Sequence, residues 1–464
     1  MNRSALKFKL MFLIAVSFVM ALPSVGEAQT RRDRQRAEQR INEGNRAFNQ
    51  RDYKTAVTKY AEAIMLVPNN ATAHFWKAMC HFHLEQKEMA LGEFDRALTL
   101  GYQRPVDVYR IRWRMYYADK DYAAAARDID NGLALDPDNL EFLIGKGDMS
   151  FVDGQYKEAL GFYQRAVVRA PNNGELHLNI AKIHYQLNDP QGVIESAQEA
   201  IKRGTQSPGV AFLLQAEALK ALRRYPEAID AYTRAQNIDS KNYDVYRNLA
   251  DLYRIQNRFD EAIRVSRQAL TVFPNDGNIY TDLSWYYSLA EQHENAAEAA
   301  RAGIRFLPEQ HMAYTNLCRA LNDLKRPELA IRECNNALRL KPNDGETNFY
   351  LGYSHTLLNR HDDAARYYRR AVTGLEEFTR ENRNYSDGFY LLGNAYMADN
   401  QAAKAVEAYR RSLDLSPRFA RARYNLAVGY LTLKRKSDAL EQYNALLQID
   451  AALAARLKEE IDRS

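Results

Sequence analysis

The chain has 464 residues, too many for one hydrophobic core of ordinary size, so several domains or a repeat array are expected. Its 46 % hydrophobic and 27 % charged residues are those of an ordinary globular protein, and 21 Gly with 13 Pro are few enough to argue for helices over loop-rich sheets. The formal net charge is +5; Arg3, Lys7 and Lys9 against Glu27, and five Arg against Asp33 and Glu38 in residues 31–40, account for all of it, so the rest lacks the basic balance that nucleic-acid binding needs.

The N-terminus combines a basic start, an apolar run from Leu10 to Leu22, a break at Pro23, and small residues Gly26 and Ala28 spaced for cleavage before Gln29. This is the pattern of a secretory signal peptide over residues 1–28, with an apolar run short for a membrane span. The mature chain is then expected in the periplasm or secreted, with no stable membrane span; an uncleaved inner-membrane anchor is the lesser alternative. No cysteine follows the apolar run to carry a lipid. Disulfides are permitted at such an address. The Arg-rich segment 29–36 reads as the start of a solvated first helix.

From residue 37 onward the chain repeats itself. The stretches YKEALGFYQRAVVRAPNN (156–173), YPEAIDAYTRAQNIDSKN (225–242) and FDEAIRVSRQALTVFPND (259–276) share an aromatic-x2-Ala-x6-Ala spacing. Twelve units start at residues 37, 71, 106, 140, 174, 209, 243, 277, 311, 345, 386 and 420, mostly 34 residues apart. One extra residue precedes 106, another precedes 209, and seven precede 386. Position 20 of the unit is Ala in all but one, where it is Val193; position 8 is small in all but one; position 32 is Pro in seven, from Pro68 to Pro417. Two amphipathic helices per unit, meeting where small side chains let the backbones approach and stopped by proline, account for this placement.

This Ala, small-residue and Pro pattern at fixed phase resembles the tetratricopeptide repeat (TPR) family over residues 37–453. The resemblance implies an all-α, right-handed superhelical solenoid of about twelve helix-turn-helix units, repeats 1–10 over 37–378 and repeats 11–12 over 386–453. The first helix of each pair would line a concave groove. Seven extra residues around 374–388 are expected to lengthen the second helix of repeat 10 and to set repeats 11 and 12 at a changed angle; 379–385 read as an insertion, a tolerated feature rather than a docking hook. Residues 454–464 read as a C-terminal cap, with Leu453, Leu457 and Ile461 on one stripe.

Candidate chemistry is sparse. Repeat 2 carries His74, Cys80, His81 and His83, but at about 100° per residue these cannot converge from one helix, and no metal site is expected. There is no GxSxG, HExxH or GxxxxGK[ST] motif, and IGKG (144–147) is too short for a phosphate loop. Neither a catalytic role nor a cofactor is expected.

Cys318 and Cys334, two of three cysteines, occupy positions 8 and 24 of repeat 9, which face each other across the helix pair. A disulfide needs Cα atoms about 4.4–6.8 Å apart, so a bridge and two buried thiols both remain open.

In the TPR family the groove face uses positions 2, 5, 6, 9, 12 and 13 of the first helix. Carried over, this places Arg247, Asn248, Asp251, Arg254, Asp282, Trp285, Asn316, Arg319 and Asn322 in the groove of repeats 7–9, with Tyr350 and Tyr353 following in repeat 10. Asn248 and Asn316, interrupted by Asp282, resemble part of the asparagine ladder in the TPR superhelix of O-linked N-acetylglucosamine transferases, which binds extended peptide backbones; a carboxamide supplies both donor and acceptor for a peptide unit. The carboxylate clamp of chaperone-binding TPR proteins is absent: repeat 1 has Ile41 and Asn45, and repeat 7 has Arg247 and Asp251. Aromatic residues Phe75, Trp76, Phe82, Tyr117 and Phe151 in repeats 2–4, and Tyr390 and Tyr424 in repeats 11 and 12, suit either neighbour packing or a ligand. The expectation is a non-catalytic scaffold for protein or peptide partners in envelope assembly or secretion, the alternative being a polysaccharide-binding scaffold.

Overall fold

The computed structural model describes the backbone from Val25 to Ser464 and side chains from Thr30. The basic start and apolar run of the leader lie outside the described residues. Those described form 25 helices and no strand, an all-α array of helix pairs that ends in a capping helix. No described helix is long and apolar enough to cross a membrane. The first helix, Val25–Asn49, takes the Arg-rich segment into repeat 1, with Arg31, Arg32, Arg34 and Arg36 exposed along it.

Local sequence explains where each pair starts and stops. In several units a proline ends the second helix and, two residues later, Asn or Asp caps the next one; Asn242 caps without a proline before it. Asn70, Asn173, Asn242, Asp276 and Asp344 each accept a backbone N–H from the following first turn. The turn inside each pair is closed by a residue in the left-handed region at position 15, from Arg51 (φ 62°) to Lys434 (φ 58°), and only Gly154 among the twelve is glycine. The two one-residue expansions follow left-handed glycines, Gly101 and Gly204, which end the preceding helices without proline.

Within a pair, position 8 meets position 24. A Cβ added at Gly44, Gly147, Gly352 or Gly393 would lie 2.4–2.9 Å from the ring of Tyr60, Tyr163, Tyr368 or Tyr409. No side chain fits there, so the glycine is what allows the ring in. The Tyr60 hydroxyl donates to Asn45 Oδ1 (2.7 Å), that of Tyr409 to Asn394 Oδ1 (2.8 Å), and that of Tyr163 to Asp148, each the residue after the small one.

Two compact units divide the chain, one ending at Asn188 and one spanning Asp189–Ser464. In the first, Phe75, Phe94 and Val108 form one apolar cluster and Leu143, Tyr163 and Leu176 another. Four of the five aromatic residues of repeats 2–4 meet rings outside their own helix: Phe75 stacks on Tyr102, Trp76 meets Phe48 edge-on, Tyr117 meets Tyr122 and Phe151 meets Tyr156, while Phe82 is exposed. His74 lies between Glu93 (Nδ1 to Oε2, 2.5 Å) and the Pro68 carbonyl (Nε2 to O, 3.1 Å), and His81 contacts Gln86.

In the second unit, clusters run through repeats 5–8, 8–10 and 10–12, the last sealed by Leu457 and Ile461 of the final helix, Ala451–Arg463. The extra residues before repeat 11 form no loop of their own. They extend the second helix of repeat 10 to His361–Glu381, 21 residues where most second helices have 14.

In repeat 9 the 8–24 contact is covalent: Cys318 and Cys334 are joined, their Cα atoms 5.4 Å apart. Cys80 is a buried free thiol, and burial pushes it up to about 12. Denatured without reductant, the protein should therefore show one titratable thiol, and three after reduction. Reduction should also lower stability by about 3 kcal/mol, the chain-entropy value for a loop of this length, read as a drop in thermal midpoint absent from a C318A/C334A variant.

Candidate functional site

The second unit closes on itself. Asn257 Nδ2 donates to the Arg418 carbonyl (3.0 Å), and Arg421 donates to the Leu289 carbonyl (2.7 Å). Arg254 Nη1 donates to Asp387 Oδ2 (3.0 Å), tying the first helix of repeat 7, Tyr243–Ile255, to that of repeat 11, Ser386–Ala398. The Arg254 guanidinium also lies 4.6 Å from the Trp285 ring centre and bonds Asp251 at 2.8 Å. Burial opposes its charge, but the carboxylates of Asp387 and Asp251 outweigh that and hold its pKa above the ordinary arginine value.

The closure surrounds a cavity of about 1490 Å³, lined from Asp244 to Arg456 by the first helices of repeats 7–12, the extended helix of repeat 10 and the final helix. Drug-sized ligands occupy roughly 300–1,000 Å³, so there is room here for a longer molecule. Ten carboxylates and five Lys or Arg side chains line the space. Many of these charges neutralise one another: Asp282 with Arg247 (3.2 Å) and Asp344 with Lys341 (3.0 Å) are examples. Burial raises the pKa of Asp282 although Arg247 lowers it. Asp344 falls well below the usual carboxylate range, because hydrogen bonds from His311 and Thr347 outweigh its desolvation.

Glu346 is different. It opens the first helix of repeat 10, Gly345–Leu357, faces the cavity, and makes no hydrogen bond or ion pair among the described residues. It keeps some access to the cavity, yet the surrounding protein removes most of its solvation. That desolvation, with the Asp344 and Asp387 charges against the weaker pull of Arg319 and Lys341, raises it to about 7. Arg319 lies 5.7 Å from the Tyr350 ring centre.

Of the residues expected in the groove, Arg247, Asn248, Asp251, Asp282, Trp285, Asn316, Arg319 and Tyr350 line the cavity. Three do not. Arg254 lies behind the lining in its ion pairs. Asn322 is fully buried, donating to the Tyr350 carbonyl (2.9 Å) and accepting from Ser354 (2.8 Å). Tyr353 is half-buried outside the cavity. Position 12 therefore faces other helices in repeats 7 and 9. The asparagine ladder is also spent internally: Asn316 is 3 % exposed and donates to the Thr281 carbonyl (3.0 Å), while Asn248 bonds Glu217 and Lys220. Neither amide offers a free pair of groups to a peptide.

The residues missed are acidic and aromatic. Position 2 supplies Asp244, Glu346 and Asp387, and its acids in repeats 7, 10 and 11 were a readable signal. The extended helix adds Glu377, Phe378 and Glu381, and Tyr385 follows it. Only the continuation of that helix brings them to the wall.

Tetratricopeptide repeat models match residues 41–105, 114–174, 209–275 and 319–378, and a TPR repeat model matches 393–434, together more than half of the chain. The chain belongs to the tetratricopeptide repeat family. Members of this TPR family mediate protein–protein interactions. Among curated relatives, a UDP-N-acetylglucosamine–peptide N-acetylglucosaminyltransferase of Giardia intestinalis is 30 % identical over 107 residues, 23 % of this chain and 7 % of that protein. Hsp70-Hsp90 organizing protein 3 of Arabidopsis thaliana is 32 % identical over 115 residues, 24 % of this chain and 19 % of that protein. The chain thus matches only a small part of either relative's length. A solved TPR protein of Parabacteroides merdae aligns with TM-score 0.45 at 14 % identity, covering 55 % of this chain and 98 % of that one.

Two measurements probe the site. Removing one partner of a buried ion pair costs about 3–5 kcal/mol, so R254M should destabilise by that order, with R254M/D387L recovering much of it in a double-mutant cycle of urea unfolding. Glu346 titrates near 7 when folded against an ordinary 4.5, so the fold binds more protons than the unfolded chain. Stability should fall as pH rises from 4.5 to 7 and level off above. E346Q should therefore be more stable than the wild type by about 2–3 kcal/mol at pH 8 and nearly equal to it at pH 4.

Proposed function

We propose that this TPR protein is a non-catalytic, extracytoplasmic scaffold that holds a partner protein in the cavity of repeats 7–12, in assembly of an envelope complex or a secretion machine. The observation that carries the reading is the cavity itself: about 1490 Å³, enclosed by first helices and walled with both charge and aromatic rings. Support for the extracytoplasmic address comes from the leader-like residues 1–28 and from the Cys318–Cys334 bridge, which suits an oxidising compartment. A role like that named for the Hsp70-Hsp90 organizing relative is not adopted, because Ile41 and Asp251 interrupt the clamp pattern in repeats 1 and 7. Polysaccharide is the second reading, favoured by Phe349, Tyr390 and Tyr424 on the cavity wall, whose rings suit sugar faces.

The test is photo-crosslinking in cells. A photoreactive phenylalanine analogue replaces Tyr390, a half-buried ring on the cavity wall, with a control at exposed Arg369. A discrete protein adduct at Tyr390 alone, on a chain that begins at Gln29, is expected. Adducts only at Arg369 would overturn the cavity as the partner site, and a glycan adduct at Tyr390 would replace the first reading with the second.

A further inference from the structure

The chain as a whole is net positive, yet its cavity is not. Once the internal ion pairs are set against one another, the lining carboxylates without a partner among the described residues are Asp244, Glu346, Glu377 and Glu381. They outnumber the unpartnered cations, Arg319 and Arg456. Their placement is graded. Asp244, Glu377 and Glu381 are exposed at the rim, the last two one turn apart on the extended helix, and Glu346 lies in the depth. A desolvated carboxylate with no ion-pair partner opposes folding; it is stabilised when a ligand supplies one.

We propose that the cavity takes an extended basic segment of a partner protein, with lysine or arginine side chains directed to Glu346 in the depth and to Asp244, Glu377 and Glu381 at the rim. This rests on the reading that the cavity is the partner-binding site and names the chemistry of what enters it. Rings beside the acids fit the same ligand: Phe349, Tyr385 and Tyr390 line the space, and aromatic faces attract desolvated cations. The volume argues for a peptide over a small polyamine, and Asn343 on the wall presents a carboxamide to a backbone. Excess negative charge inside an enclosing wall also favours capture of a basic segment at low salt.

The test uses the full chain and three labelled probes: a nonapeptide alternating alanine with lysine, its glutamate counterpart, and spermine. Fluorescence anisotropy should show the lysine peptide binding at least tenfold tighter than the glutamate peptide and tighter than spermine. E346Q should weaken it by about tenfold, and E377Q/E381Q should weaken it less while flattening its salt dependence. Thermal unfolding checks that each variant folds, and E346Q is the variant expected to fold at least as well as the wild type. Equal or tighter binding of the glutamate peptide, or lysine-peptide binding untouched by both variants, would overturn the proposal. Tighter binding of spermine would overturn the peptide as occupant. The Tyr390 crosslink separates the two levels: a partner still captured by an E346Q/E377Q/E381Q variant leaves the partner-binding cavity standing and removes its cationic ligand.

Discussion

The array depends on close approach of the paired helices at positions 8 and 24, where in most units a small residue at 8 admits a large side chain at 24. Where the small residue is Gly44 or Gly393, a tyrosine ring fills a space that one added carbon would close. Its hydroxyl then reaches the residue at position 9, so the packing contact also spends a polar side chain that would otherwise point outward. Repeat 9 uses the same two positions for a disulfide. Cysteine pairing there is a substitution within the scaffold's own geometry, which is why a bridge fits without disturbing the helices around it.

The fold was legible because this constraint leaves marks in the sequence at fixed phase: Ala at position 20, a small residue at position 8, and proline before an Asn or Asp cap. The site was legible in part. Face assignment by helical position brought Arg247, Asp282, Trp285 and Arg319 to the cavity correctly. It failed at Arg254, which meets the first helix of repeat 11 through a contact 133 residues apart in sequence when the unit closes, and at Asn322, which bonds the first helix of the neighbouring repeat 10. The lengthening of the second helix of repeat 10 was legible from the extra residues, but that it brings Glu377 and Tyr385 to the wall was not, because the repeat pattern is silent on the facing of residues outside it.

The cavity departs from the economy of the rest of the unit. The buried carboxylates of the unit, Glu333, Asp344 and Asp387, are each paired with a cation: Arg332, Lys341 and Arg254. At Glu346 a carboxyl is kept where its ionisation opposes folding. Natural sequences are expected to break the rule of paired burial at functional sites, and the break falls within the cavity that the closure surrounds.

The contacts that close the second unit change how its stability is distributed. A linear solenoid frays from its ends, because each terminal repeat has one neighbour and its loss exposes only that interface. Here Asn257 and Arg254 of repeat 7 hold Arg418 and Asp387, so the C-terminal repeats have neighbours on two sides, as links in a bracelet do. Peeling repeat 12 from the end must also break its bond to repeat 8, and peeling repeat 11 those to repeat 7. The local openings that a free solenoid end permits are then coupled to opening of the cavity, and the end of the chain shares the cooperativity of its middle.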